Sequence, residues 1–341
     1  MTDLVVNSQP QTICLRMPNW IGDAVMALPA LTNIKQAFPE ASLILASPIW
    51  SSEIYHFTEI SIEKIIKLRR NRIKSNVSKY RENPCDIIFY FTNSFSTALE
   101  GFLAGIKKRV GYNTDCRGFL LTHSFQSKKI GVKKHQIDYY LDLLRIAGMP
   151  AVKRKPELIY QGDPPGILLQ CGWKPDKLTL GISAGAAYGS AKRWLPQRFR
   201  SVIQTYINRG YQIVLFGSAS EKEELIDIIP TKVKNAVINL IGKTSLSELI
   251  KSISKCDLFL TNDSGPMHIA SALGISLVAI FGPTDVESTS PIGGVFKIVS
   301  SNEPCAPCME RSCPLKHHNC MKNVSIDMVV KELHKLEGEK E

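Results

Sequence analysis

Short apolar, β-branched runs alternate with longer segments of helical periodicity along the whole chain, and this rhythm predicts βα units wound around parallel sheets. In the first half the predicted strands are residues 13–17, 43–47, 65–68, 86–91 and 109–112; in the second half they are 178–183, 212–217, 237–240, 258–262, 277–282 and 296–299. Between the two series, residues 149–156 and 161–166 are rich in proline and charge and have no periodicity, which marks an interdomain linker. The organisation read from the pattern is a domain over residues 1–155, a linker over 156–166, a second domain over 167–324 and a C-terminal helix and tail over 325–341. Ile326, Met328, Val329, Val330, Leu333 and Leu336 give the terminal helix its apolar positions, and the residues after it read as frayed. Two doubly wound α/β domains facing a cleft would present the carboxyl ends of both sheets to a ligand.

Composition changes this picture little. A length of 341 residues suits two domains of ~100–200 residues each. With 44% hydrophobic and 21% charged residues the chain falls outside the disordered and fibrous classes. The first nine residues lack a basic, then apolar, leader, and no apolar run reaches ~18 residues, so the expectation is a cytoplasmic protein that spans no membrane. A formal charge of +11 points to acidic partners: nucleic acid, a phosphorylated glycolipid, a membrane surface or a nucleotide substrate.

Three loops at predicted strand ends carry candidate chemistry. After strand 258–262 the chain turns through Asp263-Ser264-Gly265 into Pro266-Met267-His268, a helix start with a capping residue and an early proline. The N–H groups and partial positive charge at that start suit a diphosphate, although caps of this kind also occur with no ligand. After strand 178–183 a loop of small residues, Ser183 to Tyr188, leads into Gly189-Ser190-Ala191-Lys192-Arg193-Trp194. It can wrap a phosphate with Lys192 as a point charge, or it can be a solvated surface loop with Trp194 packing beneath it. After strand 13–17, Pro18-Asn19-Trp20-Ile21 leads to Gly22-Asp23, which opens an apolar helix over 24–38 bent at Pro29. Asp23 is either a dipole-favoured cap or a general base for an acceptor hydroxyl.

Residues 63–81 carry Lys64, Lys67, Arg69, Arg70, Arg72, Lys74, Lys79 and Arg81 against Glu63, and Lys107, Lys108, Arg109, Lys128, Lys129, Lys133 and Lys134 extend the basic character. A solvated face explains such a run, and an anionic glycolipid at a membrane surface would also suit it. Nucleic acid fits less well because aromatics are not interleaved with the charges. Five of the nine cysteines, Cys14, Cys85, Cys116, Cys171 and Cys256, are scattered and read as ordinary reduced thiols. Cys305, Cys308, Cys313 and Cys320 fall within sixteen residues and can serve as a structural zinc site or as paired or free thiols. A basic, zinc-stapled binding protein without catalysis is therefore one reading of the chain.

Taken in order, Pro18-Asn19-Trp20-Ile21-Gly22-Asp23, Ala191-Lys192-Arg193-Trp194, Leu215-Phe216-Gly217-Ser218, Gly242-Lys243-Thr244-Ser245-Leu246 and Asn262-Asp263-Ser264-Gly265-Pro266-Met267-His268 resemble the ADP-heptose:lipopolysaccharide heptosyltransferases, glycosyltransferase family 9. The cysteine cluster with Cys320-Met321 looks most like the heptosyltransferase II branch. The resemblance implies a GT-B fold of two Rossmann-like domains. It implies inverting transfer of L-glycero-D-manno-heptose from ADP-heptose to the first heptose of the Kdo–lipid A inner core; another heptose acceptor or nucleotide-sugar donor is the alternative. It carries the catalytic base to Asp23 and the donor contacts to Lys192, Asp263, Ser264, Gly265 and His268, with Ser183, Gly185, Glu221, Thr244 and Met267 completing the donor set. No cofactor is expected for catalysis. Contact with the inner face of the cytoplasmic membrane is expected, and no nucleic-acid partner. The chain departs from the family at Ala187, where Glu is frequent, and at Leu195, which separates Trp194 from Pro196; both put local donor contacts in doubt.

Overall fold

The computed structural model describes residues 9–126, 134–230, 233 and 236–338. The chain divides into two units, Met1–Glu157 and Leu158–Glu341. In the first unit, β1 (Thr12–Arg16), β2 (Ser42–Pro48), β3 (Lys64–Leu68), β4 (Ile87–Tyr90), β5 (Lys108–Tyr112) and β6 (His123–Phe125) form one parallel sheet in the order β3-β2-β1-β4-β5-β6. In the second, β7 (Thr179–Ser183), β8 (Gln212–Phe216), β9 (Val237–Asn239), β10 (Leu258–Asn262), β11 (Ser276–Ile280) and β12 (Phe296–Val299) form another in the order β12-β11-β10-β7-β8-β9. Each is a doubly wound sheet with helices covering it. Every residue of β7, β8, β10 and β11 is buried, as strands covered on both faces require. Every expected strand is present. The extra strand, β6, is three residues long and half-exposed, too short and polar to announce itself as a run.

One local expectation is corrected. The segment after Asp23 is not a single bent helix over 24–38 but two helices, Ile21–Met26 and Leu28–Ala37, broken at Ala27. Pro29 falls within the first two residues of the second helix. It has no N–H to continue the earlier ladder, and a proline is tolerated where a helix begins.

The segment between the sheets is pinned at both ends. The Asn33 side chain bonds the backbone of Val152 and Lys153 within the first unit, while Leu158 N donates to Ala272 O and Lys255 Nζ to Gly162 O within the second. The terminal helix, Ile326–Gly338, buries Val329, Leu333 and Leu336 in the core of the second unit, and Met328 stays exposed. Residues 339–341, expected to fray, lie outside the described residues.

Candidate active site

The first unit's candidate lies where β1 gives way to a helix, beside the crossover between β1 and β4. Trp20 caps the helix Ile21–Met26 in an extended conformation, which places Asp23 in the first turn. A carboxylate there faces the positive end of the helix. Asp23 is half-buried, and its backbone carbonyl accepts a hydrogen bond from Ala27 N at 2.9 Å. Tyr140 lies close behind it: burial pushes the phenol well above its ordinary value, and the Asp23 charge adds to the rise. The loop ahead of Asp23 is braced by Arg16, which the sequence reading missed. Arg16 is buried and donates from Nη1 to Met17 O at 2.7 Å and from Nη2 to Asn19 Oδ1 at 3.5 Å. Trp50 Nε1 donates to Asn19 O at 2.8 Å, and Trp20 and Trp50 are 49% and 47% exposed, leaving two indole surfaces at this loop.

In the second unit the structure brings Lys192 and Asp263 together. Lys192 Nζ and Asp263 Oδ2 are 2.6 Å apart, and the two side chains are 11% and 4% exposed. Thr284 Oγ1 donates to the same carboxylate oxygen at 2.6 Å, and Lys192 Nζ sits 4.7 Å from the centre of the Tyr188 ring. The lysine is therefore not a free point charge: Asp263 aims it, and Thr284 aims Asp263. Local sequence explains the arrangement. Asn262, at the end of β10, donates from Nδ2 to Ala184 O at 2.6 Å and accepts from Trp194 N at 3.1 Å, tying both ends of the Lys192 loop to the strand. Trp194 is buried, stacks edge-on against Phe199 at 5.0 Å and donates from Nε1 to Val324 O, so it packs, as one of its two readings had it. Leu195 caps the helix Pro196–Asn208, whose first residue is the proline, and Ala187 is exposed.

The helix Gly265–Ala272 starts next to this pair with Ser264 as its extended N-cap. Ser264 Oγ lies 3.2 Å from Thr261 Oγ1 rather than capping the helix. With Met267 N bonded to Ser264 O and Pro266 lacking an N–H, the amides of Ser264 and Gly265 are the donors this turn can offer an anion. His268 is buried one turn in, and the Met267 side chain is wholly enclosed.

Ser183 ends β7 in register with Thr261. Glu221 is held by Ser218, whose N and Oγ bond its carboxylate at 2.9 and 2.7 Å. That carboxylate stands where a side chain on Gly185 would be, so any larger residue there would displace it. Gly242, at φ +71°, packs on Ala219 and carries the chain to half-buried Thr244, which brings the Glu221 and Thr244 turns together. The four clustered cysteines, all free, line one small pocket with His317 and His318. Thr284 and Tyr188 escaped sequence reading. The one available signal was position, since Thr284 follows β11, the neighbour of β10 in the sheet.

A family model described as glycosyltransferase family 9 (heptosyltransferase) matches residues 75–319. The chain is 35% identical to lipooligosaccharide heptosyltransferase 2 of Campylobacter jejuni serotype O:6, over 95% of this chain and 98% of that protein. It is 26% identical to lipopolysaccharide heptosyltransferase 2 of Escherichia coli, over 94% of this chain and 96% of that one. Among solved structures, that of the E. coli ADP-heptose lipopolysaccharide heptosyltransferase II superposes with a TM-score of 0.83 at 25% identity, covering 96% of this chain and 99% of the other. The two doubly wound sheets are those of the GT-B fold. The chain is a member of glycosyltransferase family 9, the heptosyltransferases.

Proposed function

We infer that this enzyme moves L-glycero-D-manno-heptose from ADP-heptose onto the first heptose of the lipopolysaccharide inner core, inverting the anomeric centre. The observation that carries the reading is the Lys192–Asp263 pair beside the N-terminus of the helix Gly265–Ala272, a preorganised site for a diphosphate leaving group. Asp23 takes the proton from the acceptor hydroxyl as its oxygen bonds to the anomeric carbon. The bond from that carbon to the β-phosphate oxygen breaks, and ADP departs with its new charge met by Lys192 and the helix end. Because fixed charge meets the leaving group, no divalent ion is required for transfer; activity that collapses in chelator and returns with Mg2+ is the contrary result.

The acceptor is amphiphilic and anionic, which suits the exposed Trp20 and Trp50 and the basic surface of the first unit. Lys64, Lys67, Arg69, Arg70, Arg72 and Lys74 are all exposed there, whereas Arg109 is drawn inward, donating to Leu120 O and lying over the Phe102 ring. Lys128, Lys129 and Lys133 fall outside the described residues. No helix among the described residues is long and apolar enough to cross a membrane, and the proposed location is the cytoplasm, with peripheral contact at the inner membrane. Nucleic acid is no partner in this reading, and family membership sets the non-catalytic alternative aside.

The decisive experiment incubates the protein and ADP-heptose with two defined cores and weighs the products. One added heptose on the mono-heptosylated core and none on the heptose-free core is the expected result. Addition to the heptose-free core would assign the enzyme to a different acceptor.

A further inference from the structure

Between β12 and the helix Asn319–Lys322 the chain runs through residues 300–318 with neither helix nor strand. Irregular segments of this length are uncommon inside compact domains, and ordered ones are usually functional. Met309, Lys316 and His318 nonetheless take positive φ values of 57–58°, which side-chain-bearing residues adopt only where their surroundings impose it. What converges inside this stretch is sulfur. Cys305, Cys308, Cys313 and Cys320 line one pocket of about 20 Å³, room for a single ion and not for an organic ligand. His318 N donates to Cys313 Sγ at 3.4 Å, the kind of backbone bond that supports a thiolate. Cys320 is buried.

The same stretch holds the Lys192 loop. Ala191 N donates to Arg311 O at 3.0 Å, His318 Nε2 meets Ala191 O at 2.9 Å, and Tyr188 Oη donates to Met309 O at 2.7 Å. The Arg311 guanidinium lies 5.2 Å from the centre of the Tyr188 ring, the ring that also faces Lys192. A Cβ on Gly189 would collide with the Arg311 carbonyl, so the two segments touch backbone to backbone.

We propose that Cys305, Cys308, Cys313 and Cys320 bind one thiophilic divalent cation of the Zn2+ class, and that this ion fixes residues 300–318 against the Lys192 loop. Among the described residues no three such side chains are already gathered as a metal centre, so closing the four sulfurs on the ion is the step the proposal adds. The chemistry balances without redox: four thiols release four protons, and four thiolates take the ion in a tetrahedral site of net charge −2. The cation removes the mutual repulsion that opposes ionising neighbouring thiols. The effect on donor binding rests on Lys192 being a diphosphate contact, as proposed above; metal binding does not.

The test uses the full chain, reduced and stripped of metal, titrated with Co2+. Thiolate-to-cobalt charge-transfer bands and strong tetrahedral d–d bands should saturate at one equivalent and vanish on adding Zn2+. Cys308→Ser with Cys313→Ser should abolish them, and Cys171→Ser, outside the cluster, should keep them. Native mass spectrometry of the wild-type chain with Zn2+ checks the stoichiometry independently of any variant's folding. Reduced protein without the charge-transfer bands overturns the proposal, as does isolation with these cysteines in disulfides that leave Zn2+ no site. Loaded and stripped protein should differ roughly fivefold or more in ADP affinity, and ADP should tighten Co2+ binding by the same factor. Metal binding with equal ADP affinity in both forms overturns the support role, whereas loaded protein that ignores ADP overturns the donor reading instead.

Discussion

The two units answer the same topological question with opposite charge. Each is a doubly wound sheet whose first and fourth strands lie side by side, β1 with β4 and β7 with β10, and each carries its candidate residues on the loops leaving those strands. In the first unit the loop after the first strand delivers a carboxylate, half-buried Asp23, and the loop after the fourth is neutral, Thr92-Asn93-Ser94. In the second unit the loop after the first strand delivers a cation, Lys192, and the loop after the fourth delivers the carboxylate that pairs with it. Topology fixes where chemistry can sit; residue type at the strand ends decides which charge the corner presents.

Replacing the first unit's charge gives the largest expected effect. Asp23→Asn should lower turnover by about 10²–10⁴-fold, the usual worth of a general base, with ADP affinity unchanged by calorimetry. Turnover near wild type would remove Asp23 as the base and leave the contrast between the units without its catalytic half.

The second unit's charge comes next, and its effect divides in two. Lys192→Ala should weaken ADP binding about 10- to 100-fold, the value of a charge-assisted contact worth ~1.5–3 kcal/mol. It should also lower the melting temperature, because it strands a buried Asp263 carboxylate, and breaking a buried pair from one side costs about 3–5 kcal/mol. Lys192→Met combined with Asp263→Asn separates these: stability should return while ADP affinity stays low. If the double variant regains ADP affinity, the pair is structural and the diphosphate sits elsewhere.

How much of this was legible in the sequence follows from what each feature depends on. Eleven of the twelve strands among the described residues stood out because buried parallel strands are near-continuous apolar runs, and β6 did not because its pairing rests on a neighbour rather than on its own three residues. Asp23, Lys192 and Asp263 were legible as charged groups at strand ends. Their partners were not: Lys192 and Asp263 are 71 positions apart, and Thr284 is a further 21 along the chain. A side chain's neighbours in space leave no local periodicity. The broken helix after Asp23 was half-legible, since Pro29 announces a disturbance without saying whether a helix bends or restarts there.

A smaller effect tests whether the pair needs its third member. Thr284→Val keeps the shape and deletes the hydroxyl that bonds Asp263 Oδ2. A loss of about 1 kcal/mol in ADP binding, roughly fivefold, is expected, along with a small drop in melting temperature. Unchanged binding would show that Lys192 alone orients Asp263.

The smallest effect concerns a second buried carboxylate, in the helix that follows β4. Glu100 meets burial differently from Asp263: Oε1 accepts from Asn76 Nδ2 at 2.7 Å, and Oε2 is buried with no hydrogen-bond partner among the described residues. Burial, the largest influence, raises its pKa above the ordinary carboxyl value, with the Asn76 bond and the Arg16 charge opposing the rise. A carboxyl raised on folding favours the folded state while protonated, and that contribution is lost as pH climbs from the unfolded value through the folded one. Glu100→Gln, permanently neutral, should therefore gain stability relative to wild type as pH rises from about 5 to about 8, with the gap in melting temperature widening and then levelling off once Glu100 is ionised. A gap that is flat across the range would mean Glu100 ionises alike in folded and unfolded chains. In that case the first unit, like the second, settles its buried carboxylate with a cation, and the candidate is Arg16.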